Sequence, residues 1–276
     1  MSKEKVFLAL ILVFIALGLS RSAFAAEPGK AVFLVSPLVG SLSSDIQYQS
    51  PGGSGTKTLS EVGSLYGLNM VYASPDFNIG SMGHYSKLNY STVSGYLFYV
   101  NYFFRQGEPV QPMLGFSADY IHVFTREDSV AAAPLASLNV DTSIWAIHPI
   151  VGLSLKKGEQ RVMPFVGYFN EQVVTSLASE GIIIGGQTSN GFSAASSATL
   201  NYFSAGAALD FTFARFVKTK TKFYWRFGEG DQARLTARNQ LDFLLSRQAA
   251  ISLKYDYFDD KYEKNIFTSI GAVFVL

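Results

Sequence analysis

A strict alternation of apolar and polar residues is the feature that most constrains the fold of this chain. After Arg215, one face carries Val217, Thr219, Thr221, Phe223, Trp225 and Phe227, and the other carries Lys218, Lys220, Lys222, Tyr224 and Arg226. Successive side chains of a β-strand point to opposite faces, whereas an α-helix repeats every 3.6 residues. The alternation therefore predicts a strand with one apolar face.

Eleven other segments alternate in a similar way. Eight are clear, at 62–72, 96–104, 114–120, 145–155, 203–213, 233–243, 249–257 and 266–276, and three are weaker, near 30–40, 75–85 and 161–173. A tilted strand crosses a bilayer with about 9–11 residues. The pattern predicts twelve such strands, or ten or fourteen if the weaker segments are assigned differently.

The connections between these segments alternate between a short and a long class. The short ones lie at 73–76, 105–109, 156–160, 214–217 and 246–248, and the other set lies at 41–58, 86–92, 125–141, 174–196, 228–232 and 259–264. Short turns at one end and long loops at the other are typical of an antiparallel transmembrane β-barrel with both termini in the periplasm. A soluble β-sandwich also alternates, but its long loops need not share one end.

The N-terminus has the organisation of an export signal. Lys3 and Lys5 precede an apolar run at 6–19, and Ala23 and Ala25 form an A-x-A cleavage site. The run is shorter than the roughly 20 residues of a transmembrane helix. We therefore expect residues 1–25 to be a cleaved signal peptide and residues 26–276 to form one barrel domain.

The composition excludes several functional classes. Charged residues make up 16% of the chain, aromatic residues 14%, the net charge is +1 and there is no cysteine. A near-neutral chain lacks the basic footprint of a nucleic-acid-binding protein, and without cysteine there is no disulfide or thiolate metal site. Because no cofactor or metal motif is present either, we expect no cofactor, no metal and no nucleic-acid partner.

The predicted signal peptide, the alternating strands and the C-terminal Phe274-Val275-Leu276 resemble bacterial outer-membrane β-barrel proteins with a C-terminal assembly signal. These proteins commonly end in an aromatic residue, whereas here Phe274 lies two positions before the end. The resemblance implies an outer-membrane location in a Gram-negative bacterium and contact with lipid and lipopolysaccharide. It also implies recognition of the terminal strand, 265–276, by the barrel-assembly machinery.

The basic rows are expected to face the lumen of this barrel, because a Lys or Arg facing lipid costs about 2–4 kcal/mol near the bilayer midplane. The candidate pore-lining wall consists of Lys218, Lys220, Lys222, Arg226, Arg234 and Arg238. Such a wall favours anions. In outline, the chain is similar to the acidic-oligosaccharide porins, which are twelve-stranded barrels with basic rows.

Hairpin register predicts the neighbours of these cations. The expected cross-strand pairs are Lys218–Asp242, Lys222–Arg238, Arg226–Arg234, Lys220–Asp210 and Arg238–Asp256. Lys222, Arg226 and Arg234 then have no carboxylate partner on these strands. The alternative is that Glu229 and Asp231 of the intervening loop fold over Arg226 and Arg234.

The leading functional hypothesis is a narrow passive pore for small hydrophilic solutes, anions among them. The expected constriction consists of Tyr99, Phe103, Tyr202 and Tyr224. The alternative is a non-conducting barrel whose loops 125–141 and 174–196 bind a partner, because both contain apolar stretches, at 129–136 and 181–186.

A minor alternative concerns His84-Tyr85-Ser86, which resembles the His/Ser pair of outer-membrane phospholipase and lipid A deacylase barrels. The resemblance implies lipid hydrolysis with Ser86 as nucleophile and His84 as base. Those families continue with Asn after the serine, whereas Lys87 follows here, and no residue is placed to orient the histidine. We therefore expect a non-enzymatic protein with no catalytic residue.

Overall fold

Twelve antiparallel strands close into one barrel, which confirms the predicted fold class. The computed structural model describes residues 31–49, 56–74, 76–104, 108–127, 138–179, 183–184, 187–188, 192–213, 216–228, 233–246, 248–259 and 263–276. The predicted signal peptide and the apolar segment 129–136 lie outside the described residues. No helix in the described part of the chain is long and apolar enough to cross a membrane.

The barrel strands are numbered here in chain order. They are β1 (Val32–Gln49), β2 (Thr56–Ala73), β3 (Phe77–Lys87), β4 (Ser91–Phe103), β5 (Val110–Glu127), β6 (Leu138–Lys157), β7 (Gln160–Ser179), β8 (Phe192–Phe213), β9 (Val217–Phe227), β10 (Arg234–Leu244), β11 (Ala249–Asp259) and β12 (Glu263–Val275). A two-residue ladder, Ile183–Ile184 with Gln187–Thr188, lies between β7 and β8.

Each strand pairs with its neighbours in sequence, and β1 closes the barrel against β12. The closing seam runs from Leu34 opposite Val275 to Ile46 opposite Glu263. All five short connections lie at the end of the barrel where β1 begins and β12 ends. The tightest one joins β6 to β7 through Gly158, whose φ of 61° is readily adopted by glycine.

The strands extend further than the sequence predicted at the opposite end. β1 continues to Gln49, whereas a loop was expected from residue 41, and β8 already begins at Phe192. The expected loops 125–141 and 174–196 are therefore too wide, because only 128–137 and 180–191 separate the strands. Polar and small residues occupy both faces of these strand ends, so the alternation fades there while the backbone ladder continues.

Outward side chains form a large exposed apolar surface. Phe203 is 72% exposed, Tyr96 65% and Trp145 57%, and apolar residues of all twelve strands share this surface. Soluble proteins rarely expose more than a few hundred Å² of contiguous apolar surface. A closed barrel with such an exterior belongs in a lipid bilayer, because closure pairs each strand with a neighbour on both sides and leaves no open edge.

This orientation leads to a depth-dependent prediction. Ile147 lies outward near the middle of β6, and Leu155 lies outward near the short-turn end of the same strand. We expect Ile147→Arg to lower the free energy of unfolding by about 2–4 kcal/mol, whereas Leu155→Arg costs about 0–1 kcal/mol. Urea unfolding in phospholipid vesicles measures both variants, and equal losses would contradict the assigned depth.

Candidate functional site: the barrel interior

The barrel interior brings together the polar side chains that could handle a solute. Two neighbouring cavities lie within it, one of about 220 Å³ and one of about 110 Å³. Asp119, Tyr224 and Arg238 line both. Clusters of packed apolar side chains line parts of the wall toward both barrel ends.

An apolar cluster narrows the lumen toward the short-turn end. It contains Phe103, Met113, Ile150, Phe165 and Tyr224, all buried and contributed by β4, β5, β6, β7 and β9. The Arg161 guanidinium lies 4.8 Å from the centroid of the Phe103 ring. The β10–β12 side of the wall contributes no residue to this cluster.

Two further clusters lie toward the long-loop end. Leu42, Leu88, Val93 and Val123 pack together from β1, β4, β5 and the connection between β3 and β4. Ala146, Phe169 and Tyr202 form the other cluster on β6, β7 and β8. The interior is therefore most polar in the middle, with apolar clusters toward both ends.

The predicted constriction residues all face the interior but occupy different levels. Tyr99 lines the larger cavity, Phe103 and Tyr224 belong to the cluster toward the short-turn end, and Tyr202 belongs to one toward the other end. They therefore narrow the lumen at several depths and do not form a single ring.

The predicted register of the basic rows is reproduced residue by residue. Lys218 lies opposite Asp242, Lys222 opposite Arg238, and Arg226 opposite Arg234. Asp210 lies opposite Lys220, and Arg238 lies opposite Asp256. Hairpin turns determine these pairs because they are local in sequence.

The cations of the basic rows differ in exposure along the barrel axis. Lys218 and Lys220 are exposed near the short-turn end, whereas Lys222, Arg234 and Arg238 are partly buried. Lys220, Lys222 and Arg238 line the larger cavity. Lys220 is therefore both exposed and part of the lining of the larger cavity.

Arg226 has a carboxylate partner that the sequence analysis did not identify. Its guanidinium lies 3.5 Å from Glu171 of β7 and donates a 2.7 Å hydrogen bond to the carbonyl oxygen of Asp259. The rings of Phe169 and Tyr202 flank it at 5.1 and 5.6 Å. This buried cation is neutralised across β8, and the alternative partners, Glu229 and Asp231, lie outside the described residues.

Asp119 is the second interior carboxylate that the sequence analysis missed. It lies on β5, and three strands separate β5 from β9, so it approaches the basic rows across the lumen. The inward-facing residues of β5 include Met113 and Ser117. Because side chains alternate between the two faces of a strand, residue 119 could have been predicted to face inward as well. The basic wall thus faces acidic groups of distant strands.

The His84 and Ser86 side chains share the inward face of β3 but do not form a nucleophile–base pair. The Ser86 hydroxyl is fully buried and donates a 2.8 Å hydrogen bond to the Ser64 carbonyl oxygen. The His84 ring packs edge-on against Phe267, and neither ring nitrogen has a hydrogen-bond partner among the described residues. The described residues also contain no group of three or more His, Asp or Glu placed to hold a metal ion.

Comparison with known proteins supports the architecture. No family model and no curated protein sequence matches the chain. The translocator domain of the autotransporter NalP from Neisseria meningitidis is similar in structure, with a TM-score of 0.54 and 11% identity over 98% of this chain and 95% of that one. Likeness at this identity shows the fold alone.

Two more distant barrels have TM-scores near 0.4. The P. putida toluene transporter TodX has a TM-score of 0.41 and 9% identity over 91% of this chain and 90% of its own. The outer membrane protease OmpT from Escherichia coli has a TM-score of 0.40 and 9% identity over 93% and 99%. With its closed even-stranded barrel and apolar exterior, the chain is a transmembrane β-barrel of the bacterial outer membrane.

Proposed function

We propose that this outer-membrane barrel is a narrow, passive and non-enzymatic channel for small hydrophilic solutes, with a weak preference for anions. The observation that carries the proposal is the 220 Å³ cavity, which is lined by the solvent-exposed Lys220. Water that reaches this lysine from the periplasmic end also reaches the charged middle of the lumen. Solutes could follow the same path.

The anion preference follows from the charges along that cavity. Its lining includes the cations Lys220, Lys222, Arg238 and Lys254 and the carboxylates Asp119, Asp210 and Asp256. Four cations against three carboxylates leave one excess positive charge. Charged side chains that line a narrow pore bias its selectivity toward ions of the opposite sign.

Planar-bilayer recordings of the protein purified from outer membranes test this proposal. We expect a conductance well below that of 16-stranded porins, because a twelve-stranded lumen is narrower. In a KCl gradient the reversal potential should favour chloride modestly. Lys222→Glu changes the cavity charge by two units, so its reversal potential should favour potassium.

Lys87→Glu is the matched control because Lys87 is exposed and lies outward on β3, away from the cavity. Its reversal potential should equal that of the unmodified protein. A cation preference in the unmodified protein, or the same shift in both variants, would contradict the basic wall. A folded barrel that carries no current would contradict the channel itself.

A closed interaction barrel is the second candidate, and the Leu42, Leu88, Val93 and Val123 cluster supports it. These apolar side chains fill part of the lumen near the extracellular loops, where a permeant solute would have to pass. In this case the connections 128–137 and 180–191 would bind a partner. The absence of conductance from the folded barrel would favour this candidate.

The proposal also includes the partners of an outer-membrane barrel. Lipid and lipopolysaccharide would cover the exposed apolar exterior. The barrel-assembly machinery would recognise the terminal strand, 265–276. The pairing of β12 with β1 supports this, because closure requires the last strand to be delivered to the first.

A further inference from the structure

The smaller cavity, of about 110 Å³, lies on the barrel axis. Every strand except β8 contributes residues to its lining. Its charged and polar residues come from opposite sides of the wall, with Asp119 on β5 and Arg238 on β10. A solute that moved along the axis would meet both groups at the same depth.

Several polar atoms around this cavity are buried without a partner. Nε of Arg238, Oδ1 of Asn265 and both ring nitrogens of His84 have no hydrogen-bond partner among the described residues. Thr236, which is 1% exposed, shares a side-chain hydrogen bond with Tyr224. All four residues line the cavity. Buried polar groups are normally hydrogen-bonded, so this cluster indicates a polar occupant.

The charges around the cavity are balanced. The lining includes the cations Arg226, Arg238 and Lys254 and the carboxylates Asp119, Glu171 and Asp256. Arg226 and Glu171 pair with each other. A simple anion or cation would be attracted by one set of the remaining charges and repelled by the other, whereas a molecule with both charges can bind both sets.

The rest of the lining is mostly apolar. Leu38, Leu97, Ile121, Phe258 and Phe267 surround the charged groups. The volume is smaller than the roughly 150 Å³ cavity that holds benzene in a protein interior. The occupant therefore combines two opposite charges with an apolar group of only a few carbon atoms.

We propose that the cavity between Asp119 and Arg238 is a binding site for small zwitterions with an apolar side group, the chemical class of the apolar α-amino acids. Asp119 accepts hydrogen bonds from the ammonium group, and Arg238 donates hydrogen bonds to the carboxylate. The inference rests on the proposed channel function, because the site would lie on the path of the solute.

Equilibrium dialysis of radiolabelled L-valine against the detergent-solubilised protein from outer membranes tests the site without requiring conduction. The competitors are 3-methylbutanoate, which lacks the ammonium group of valine, and 2-methylpropylamine, which lacks its carboxylate. We expect unlabelled valine to compete at concentrations at least tenfold lower than either. Equal competition by 3-methylbutanoate would overturn the proposal in favour of a plain carboxylate site.

Two variants separate the roles of the charged groups. Asp119→Asn should weaken valine binding at least tenfold and leave 3-methylbutanoate binding unchanged or tighter. Arg238→Gln should weaken both of these ligands but not 2-methylpropylamine. Asp76→Asn, at the periplasmic turn and outside both cavities, is the control and should bind valine normally.

The outcomes distinguish this proposal from the channel. A conducting barrel that does not bind valine overturns the zwitterion site only, whereas a non-conducting barrel that binds valine overturns the channel only. Slower migration of unheated samples in gel electrophoresis identifies variants that fail to fold. If both variants fail, the comparison of the three compounds on the unmodified protein decides the question.

Discussion

Replacing Glu171 with glutamine is expected to lower the free energy of unfolding by about 3–5 kcal/mol. The Arg226–Glu171 pair is buried, with side chains 5% exposed on both sides. Removing one member of a buried ion pair leaves an uncompensated charge in a region of low dielectric constant. Arg226→Met should cost a similar amount, because Glu171 then loses its cation. Urea unfolding in phospholipid vesicles, followed by tryptophan fluorescence, measures the loss.

The double variant Arg226→Met with Glu171→Met completes a thermodynamic cycle. The double variant should lower the free energy of unfolding by clearly less than the sum of the two single variants, because no unpaired charge remains. The His122–Asp141 pair is the control. Its atoms are closer, at 3.0 Å, but the side chains are 32% and 45% exposed. Asp141→Asn should cost at most about 1 kcal/mol, and a loss as large as that of Glu171→Gln would contradict the role of burial.

Replacing Gly40 with alanine is expected to destabilise the closed barrel by about 3 kcal/mol. Gly40 lies opposite Ser269 in the seam between β1 and β12. A methyl group there would overlap the carbonyl oxygen of Thr268 and lie 2.6 Å from Cα of Ser269. These are backbone atoms, which cannot rotate away, so the strain reaches the upper part of the range for overpacked sites.

Gly83→Ala is the matched control, since Gly83 also lies in a strand but its added methyl group would meet only the Tyr96 ring at 3.4 Å. This is ordinary van der Waals contact, and alanine is slightly favoured over glycine in a strand. We expect a change within about 1 kcal/mol. Equal stability of the Gly40 and Gly83 variants would show that the seam can open to accommodate a side chain.

The strand number and the cross-strand register of β9, β10 and β11 could be predicted because both depend on local pattern. A one-residue slip would turn every side chain to the other face, so Lys222 opposite Arg238 follows from the turn and the period of two. The strand ends were less predictable. At Gln49 and Phe192 the apolar alternation has ended although the backbone ladder has not.

The contacts across the interior could not be predicted. Glu171 reaches Arg226 across β8, and Asp119 approaches the basic rows from the far wall. The curvature and stagger of a closed barrel determine which distant strands face each other at a given depth. Neither quantity is encoded in the pattern of one strand.

The amino-acid sequence by itself determined which face of each strand meets lipid, because side chains alternate with a period of two and cations in lipid are costly. Only the tertiary structure decided how the inward charges combine. Closure of β1 onto β12 brings the carboxylates of β5 and β7 to the basic rows of β9 and β10. The predicted basic wall therefore faces acidic groups of distant strands as well as its own cross-strand partners, because these distances are set only by the closed barrel.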